Sequence, residues 1–468
     1  MILKKGSIVE LTIESAAFKG KGVARHDGLA VFVPDTAPGD TVLAQIVKRK
    51  KNFREARLLE ILTPSPDRIE PRCRHASECG GCTWQHLPYA VQLQIKEEQV
   101  KDHIERIAHM DPSVVQPIAG CDQEFYYRNK MEYSFGNRRW LSREEVDREE
   151  YVDDGGFAAG LHAPGRYDKI LDLKECHLQI PESYQILEEV RRYCIEKEIP
   201  AYDTSANKGF MRHLVIRNSH YSGDLMVNLV TNSYQPERIG GLADHLLATF
   251  GDITTIVNNI NDKPNPTAVG REEHVLYGPG IITDSIGGHV FEINPNAFFQ
   301  TNTLQAEKLY RIALDLAGLQ KHDILYDLYC GVGTLSLFAS DSVRKVIGIE
   351  LVGVAVKNAI ANAAANQVQN AEFHKGDMKE ALTESLLEKA GRPDCIITDP
   401  PRSGMHPDVV KQLAGFKVPR LIYISCNPST MARDLKVLGE AYKVEKIQPV
   451  DMFPQTYHIE AVAGLTRR

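Results

Sequence analysis

Asp327-Leu328-Tyr329-Cys330-Gly331-Val332-Gly333-Thr334 is the stretch whose reading decides the fold. An apolar run over 323–328 leads into it and a helical pattern leaves it. Strand, glycine turn, helix is the opening unit of a nucleoside-binding α/β sheet. Two glycines one residue apart let the backbone approach a ligand that a Cβ would hold off. Working outward, further strands are expected at 343–350, 371–376, 394–399 and 420–425, with helices between them that include 353–366 and 428–438. This alternation marks a doubly wound α/β fold. The chain then closes on two strand-like runs, 442–449 and 458–465, with no helix between. Consecutive strands without a crossover must pair antiparallel or leave the sheet. A parallel sheet ending in an antiparallel hairpin is therefore expected.

Ligands of such sheets bind beyond the carboxyl ends of the strands. The residues that follow each strand are therefore the ones to weigh. They are the 327–334 turn, Glu350, Gly376-Asp377, Asp399-Pro400-Pro401-Arg402 and Ser425-Cys426-Asn427-Pro428. Every strand delivers polar residues or glycine to one rim. Glu350 is placed to accept both ribose hydroxyls of a nucleoside cofactor. The third glycine of a dinucleotide fingerprint is missing, with Ser336 in its place. This favours adenosylmethionine over NAD and leaves the dinucleotide as the alternative. Enzymes that methylate exocyclic amines resemble one another in carrying an aromatic after Asp/Asn-Pro-Pro. Arg402 stands there, which fits a carbon acceptor better.

Cys426 sits at a strand end just ahead of a helix, where the helix N-terminus is expected to lower its pKa. An inert buried thiol is the alternative for any single cysteine. A thiolate can add to C6 of a uracil and make C5 nucleophilic. A base must then remove the C5 proton before the thiol can leave. Glu460, at the end of Met452-Phe453-Pro454-Gln455-Thr456-Tyr457-His458-Ile459-Glu460, is placed to be that base if 442–449 runs toward the active rim. For His458 an orienting and a structural role stand equally.

Upstream, residues 1–62 read as a small β-barrel, with strands at 8–13, 30–33 and 41–47. The run Lys48-Arg49-Lys50-Lys51, with Arg54 and Arg57 behind it, is either a solvated strand end or a patch for an RNA backbone. Residues 1–72 carry 13 Lys and Arg against 9 Asp and Glu, in a chain whose net charge is −7. Pro64-Ser65-Pro66-Asp67 is a linker. The spacing Cys73-x5-Cys79-Gly80-Gly81-Cys82 suits either zinc or an iron–sulfur cluster. A helix is expected from Tyr89 to about Met110, with Leu93, Val100, Ile104 and Ile107 near one face. Residues 125–290 are rich in short strands, among them 213–217 and 225–230.

The 468 residues are 43% hydrophobic and 25% charged, ordinary values for a globular chain. No leader pattern and no window approaching a membrane span is found, so a cytoplasmic protein without membrane contact is expected. In that compartment the nine cysteines should not form structural disulfides.

Taken together, Phe298-Phe299-Gln300-Thr301-Asn302, Asp327 to Thr334, Asp399-Pro400-Pro401-Arg402, Ser425 to Pro428 with Ala432-Arg433-Asp434, and the segment ending in Glu460 resemble the RNA uracil-5-methyltransferase family. The resemblance spans nearly the whole chain. It implies Cys426 as nucleophile and Glu460 as base. It implies adenosylmethionine contacts from Gln300, Tyr329, Thr334, Glu350, Asp377 and Asp399. Family members often carry Phe at position 329 and Asn at 334, so Tyr329 and Thr334 are mild departures. The N-terminal barrel looks like the TRAM domain of several ribosomal-RNA members. The cysteine spacing resembles the family's [4Fe-4S] motif, with Cys176 the best match for the fourth ligand and Cys121 and Cys194 the fallbacks. The implied organisation is a TRAM barrel at 1–62, a mixed α+β iron–sulfur and RNA-binding domain from 63–88 plus 125–290, and a Rossmann-like methyltransferase domain from 89–124 plus 291–468. The implied substrate is RNA, with 23S rRNA favoured over tRNA and no obligate protein partner. A non-catalytic RNA-binding iron–sulfur protein is the reading from another class, and the Cys426/Glu460 pair argues against it.

Overall fold

The structure is a computed structural model that describes residues 4–76, 78–142, 145–146, 156–382 and 384–468. Residues 1–3 of the expected barrel, and 143–144 and 147–155 of the expected central segment, lie outside the described residues.

The carboxy-terminal sheet has seven strands. Their spatial order is Ala371–Lys375, Lys345–Glu350, Ile324–Leu328, Cys395–Thr398, Arg420–Ser425, Glu460–Arg467 and Tyr442–Val450. The first five are parallel, and Glu460–Arg467 runs antiparallel between Arg420–Ser425 and Tyr442–Val450. Each expected strand of this region is present within a residue or two. The central strands are buried on both faces, as a parallel sheet requires. Leu325, Ile347, Ile396, Ile397 and Ile422 are all at most 1% exposed. Helices Gly353–Ala365 and Pro428–Leu438 fall where the sequence pattern placed them.

The register fixes the rim. Ser425 pairs with Ala461, and Val450 pairs with Glu460. Tyr442–Val450 therefore ends at the same edge where Arg420–Ser425 ends and where Glu460 begins its strand. The loop 451–459 has to lie on that edge.

A second seven-stranded sheet is ordered Glu272–Tyr277, Thr255–Ile260, Leu225–Thr231, Met211–Asn218, Lys130–Gly136, Ala158–His162, Ile170–Asp172. Helices Pro181–Glu196 and Pro236–Thr249 pack with one face through Ile186, Val190, Leu242 and Leu246.

The amino-terminal sheet has six strands, in the order Ile8–Thr12, Thr41–Arg49, Phe53–Thr63, Leu29–Val33, Gly22–His26, Ser15–Ala16. The basic run at 48–51 continues one strand into a hairpin, and Phe53–Thr63 is a strand that the sequence reading passed over. Several of the basic groups there are already engaged. Lys48 Nζ lies 3.3 Å from Glu55 Oε1. Arg54 is 3% exposed and donates to the carbonyl of Lys50 at 2.6 Å. Only part of the run is free to meet a phosphate.

The early helix Tyr89–His103 continues as a π-helical turn over Ile104–Ala108 and stops at His109 in the left-handed region. Val100, Ile104 and Ala108 join the apolar cluster of the carboxy-terminal sheet. The inward face upstream of them is polar, with Gln92, Lys96 and Gln99 buried. That is why apolar spacing reads weakly along this helix. Among the described residues no helix is long and apolar enough to cross a membrane.

Candidate active site

Three loops meet at the rim of the carboxy-terminal sheet: 399–405, 425–428 and 451–460. Buried Asp434 ties the first two together. Its Oδ2 accepts from Met405 N at 3.1 Å and from Tyr423 OH at 2.7 Å, and its Oδ1 accepts from Arg433 Nε at 2.8 Å. Asn427 Nδ2 donates to the Arg402 carbonyl at 3.1 Å. The segment Ala432-Arg433-Asp434 thus anchors the Arg402 loop against the helix that follows Cys426.

Cys426 is half-buried and shares this rim with Glu460, Asp399 and Arg402. The expectation of a low-pKa thiol is overturned. Burial pushes the Cys426 thiol up to about 11, the negative potential of Glu460 and Asp399 adds to the rise, and Arg402 opposes it. The helix N-terminus contributes little because Asn427, not Cys426, is its cap: Asn427 Oδ1 accepts from Ser429 N at 3.1 Å. Desolvation of the thiolate is the larger effect.

The neighbouring acids follow the same logic. Glu460 is raised well above the usual carboxylate range by burial and by Asp399. Asp399 is raised to about 7 by burial. Arg402 opposes the rise at both Cys426 and Glu460. His458 is pushed down to about 4, by burial first and then by Arg402, so its ring is neutral at pH 7. Its Nδ1 accepts from Arg402 Nη2, which fixes the proton on Nε2.

The glycine turn opens toward the same rim. Gly331 has φ +55°, and a Cβ built there would meet nothing within 4 Å. Gly333 has φ +83°, and its missing Cβ leaves room for Phe373 and Ala359. Tyr329 is itself left-handed, at φ +64°. Glu350 accepts from Gly331 N at 3.2 Å and from Val352 N at 2.8 Å, so its carboxylate holds the turn from the adjacent strand end. Asp377 caps the short helix after the third strand by accepting from Lys379 N at 3.0 Å. Thr334 Oγ1 lies 3.1 Å from Tyr310 OH, which also contacts Gln300. Gln300 is held by its backbone, its carbonyl accepting from Asn129 Nδ2 at 2.8 Å. Gln300, Thr334 and Asp399 are thereby gathered round Tyr310, a residue the sequence reading missed. Arg128, whose guanidinium sits 5.7 Å from the Phe453 ring centroid, was missed as well. Tyr310 lies on the helix Thr303–Ala317 and Arg128 lies far upstream, so neither belongs to a strand-end motif.

Cys73, Cys79, Cys82 and Cys176 line one cavity, together with Gln85 and His177. Burial raises all four thiols, with Cys73 at about 12 and Cys79 at about 11. The potential of neighbouring sulfurs adds to the rise at Cys73, Cys79 and Cys82. Among the described residues, no group of three or more His, Cys, Asp or Glu side chains is arranged to hold a metal ion. The two fallback cysteines are elsewhere. Cys121 receives a 3.6 Å contact from Asn302 Nδ2, and Cys194 is sealed in the core of the central sheet.

The strand order, the closing antiparallel hairpin and the glycine turn define a class I methyltransferase fold. The model for the tRNA (uracil-5-)-methyltransferase family matches residues 285–468, and the TRAM domain model matches residues 3–59. An uncharacterised RNA methyltransferase of Bacteroides thetaiotaomicron is 41% identical over 97% of this chain and 100% of its own length. One from Porphyromonas gingivalis is 41% identical over 98% of the chain and 99% of its own length. Among solved structures, the Pyrococcus abyssi tRNA (uracil-54, C5)-methyltransferase in complex with S-adenosyl-L-homocysteine is similar with a TM-score of 0.75. It is 28% identical, over 98% of this chain and 100% of that one. The chain belongs to the RNA uracil-5-methyltransferase family, and its amino-terminal barrel is a TRAM domain.

Proposed function

We propose that this protein methylates C5 of a uracil in RNA, with S-adenosyl-L-methionine as donor and Cys426 as covalent catalyst. The observation that carries this is the meeting of Cys426, Glu460, Asp399 and Arg402 on the rim onto which the glycine turn opens. Gln300, Tyr329, Thr334, Glu350, Asp377 and Asp399 are the cofactor contacts we assign. The open space at Gly331 and the acidic strand ends suit a cationic nucleoside. The bound cofactor supplies an electrophilic methyl.

The chain's own groups do the rest. Cys426, as thiolate, bonds to C6 of the uracil and leaves C5 nucleophilic. Arg402 offsets the negative charge that the step needs near the thiol. Once C5 carries the methyl, Glu460 takes the C5 proton, the C5=C6 bond reforms, and the C6–S bond breaks to return the thiolate. A carboxylate in a desolvated pocket is a stronger base than one in water, so the rise at Glu460 suits proton removal, a step for which Glu460 must itself be ionised.

We assign 23S rRNA as the substrate, following the ribosomal members that carry a TRAM barrel. A tRNA uracil is the second reading. It is favoured by the Pyrococcus abyssi enzyme, which this chain matches over its full length. Methylating purified 23S rRNA and tRNA separately and mapping 5-methyluridine by mass distinguishes them, and product on neither would defeat the proposal.

We also assign a [4Fe-4S] cluster to Cys73, Cys79, Cys82 and Cys176. Four thiols around one cavity fit the donor set. Mutually repelling buried thiolates need a cationic centre to stay ionised. In this reading residues 1–62 and the central segment bind RNA, and 291–468 with the early helix carries the chemistry.

A further inference from the structure

The loop that delivers Glu460 is held almost entirely from outside its own sheet. Asp451 accepts from Lys96 Nζ at 2.6 Å, and both side chains are fully buried. The Phe453 carbonyl accepts from the same ammonium at 3.2 Å. Tyr127 OH donates to the Pro454 carbonyl at 3.0 Å, and Asn302 Nδ2 donates to the Met452 carbonyl at 3.0 Å.

Gln455 is the most tightly gripped. It is 3% exposed and held at φ +68°, a conformation unfavourable for a non-glycine residue. Its N–H donates to Gln92 Oε1 at 3.0 Å, and its Oε1 accepts from Gln92 Nε2 at 2.9 Å. Its carbonyl accepts from Thr83 N at 2.7 Å and from Trp84 N at 3.1 Å. Gln92 Nε2 also donates to the carbonyls of Trp84 and Leu87, at 3.1 and 2.9 Å.

The other end of this grip is the cysteine segment. Thr83 follows Cys82 directly. Gln85 Oε1 accepts from Cys73 N at 3.0 Å, and the Gln85 side chain also bonds Cys82. From Gln455 the loop runs through Thr456, whose Oγ1 accepts from His458 N at 3.2 Å, to Glu460.

We propose that Gln92 and Gln455 are positioning residues for the base, through which the order of the cysteine site at Cys73, Cys79 and Cys82 sets the aim of Glu460. This rests on the base and cluster assignments above. With the cysteine site closed round its metal, residues 82–85 are fixed and Gln455 is held in its left-handed turn. With the site empty, the turn relaxes and Glu460 loses its line to the C5 proton. The thiol step is affected less than proton removal, because Cys426 is held by its own strand and by the 399–405 loop, which meets 451–460 through the Arg402–His458 bond.

Two measurements on the full-length protein test this. Hydrogen–deuterium exchange over residues 451–460 is compared between protein reconstituted with ferrous iron and sulfide and the same protein stripped of metal. At least tenfold faster exchange in the stripped protein is expected, with no change in the strand 420–425. Second, Gln92→Met is compared with wild type for formation and release of the covalent enzyme–RNA species. Formation is expected within about threefold of wild type and release at least tenfold slower. Exchange at 451–460 that ignores metal, or release at the wild-type rate in Gln92→Met, overturns the inference. Glu460→Gln run alongside separates the two levels. If it releases RNA normally, the base assignment has failed. If it traps RNA while Gln92→Met does not, only the positioning role has failed. Should Gln92→Met not fold, the exchange comparison still decides, since it uses the unaltered chain.

Discussion

The resting state of Cys426 gives the sharpest quantitative expectation. A thiol near pKa 11 is ionised in about one molecule per thousand at pH 8, against about one in four for an unperturbed thiol at 8.5. Alkylation by iodoacetamide requires the thiolate, so Cys426 should react about 200-fold more slowly than a free thiol at pH 8. The rate should climb tenfold per pH unit from 7 to about 10, without a plateau. Desolvation is the first cause of this suppression. Removing the opposing cation in Arg402→Met should lower the rate further at every pH below the plateau. Trypsin supplies the assay, because cleavage after Arg420 and Arg433 releases residues 421–433, in which Cys426 is the sole cysteine. Mass quantification of that peptide over pH 7 to 10 isolates this thiol from the other eight. A plateau below pH 9, or faster alkylation in Arg402→Met, would refute the claim that burial outweighs the arginine and the helix.

Other expectations follow from the same site. Cys426→Ala should abolish both product and covalent RNA species, read on a denaturing gel and by methyl counting. Glu460→Gln should form the covalent species and accumulate it, because the C5 proton stays in place; normal turnover would remove Glu460 from its role. Cys176→Ser should lose bound iron after reconstitution, whereas Cys194→Ser should keep it, as iron and sulfide assays would show. Lys96→Met leaves the buried Asp451 carboxylate without its cation and should cost about 3–5 kcal/mol in urea unfolding. Lys96→Met with Asp451→Leu should recover much of that loss; a double variant no more stable than the single one would contradict the desolvation argument.

Much of the carboxy-terminal sheet was legible because its strands are buried on both faces and end in polar or glycine residues. Helices Gly353–Ala365 and Pro428–Leu438 followed from spacing for the same local reason. The strand Phe53–Thr63 was hidden because its basic residues read as a surface run, and Arg54 is buried only through carbonyls that the hairpin brings to it. The early helix looked weakly amphipathic because its inward face is Gln92, Lys96 and Gln99, whose partners lie up to 363 residues away. Nothing local encodes such pairing. The thiol of Cys426 was misjudged in sign for a related reason. A helix N-terminus can be read from sequence, but the burial and the two carboxylates that outweigh it exist only once distant loops have met.

The central claim is that one sulfur bonds to the ring that is methylated. RNA carrying 5-fluorouridine at the target provides the direct measurement, since fluorine at C5 cannot leave as a proton does and the covalent species is held. Incubation with S-adenosyl-L-methionine, digestion and mass analysis should find the methylated fluoronucleotide attached to residues 421–433 through Cys426. Attachment through another cysteine, or 5-methyluridine formed on normal RNA with no trapped species on the fluorinated one, would contradict the account.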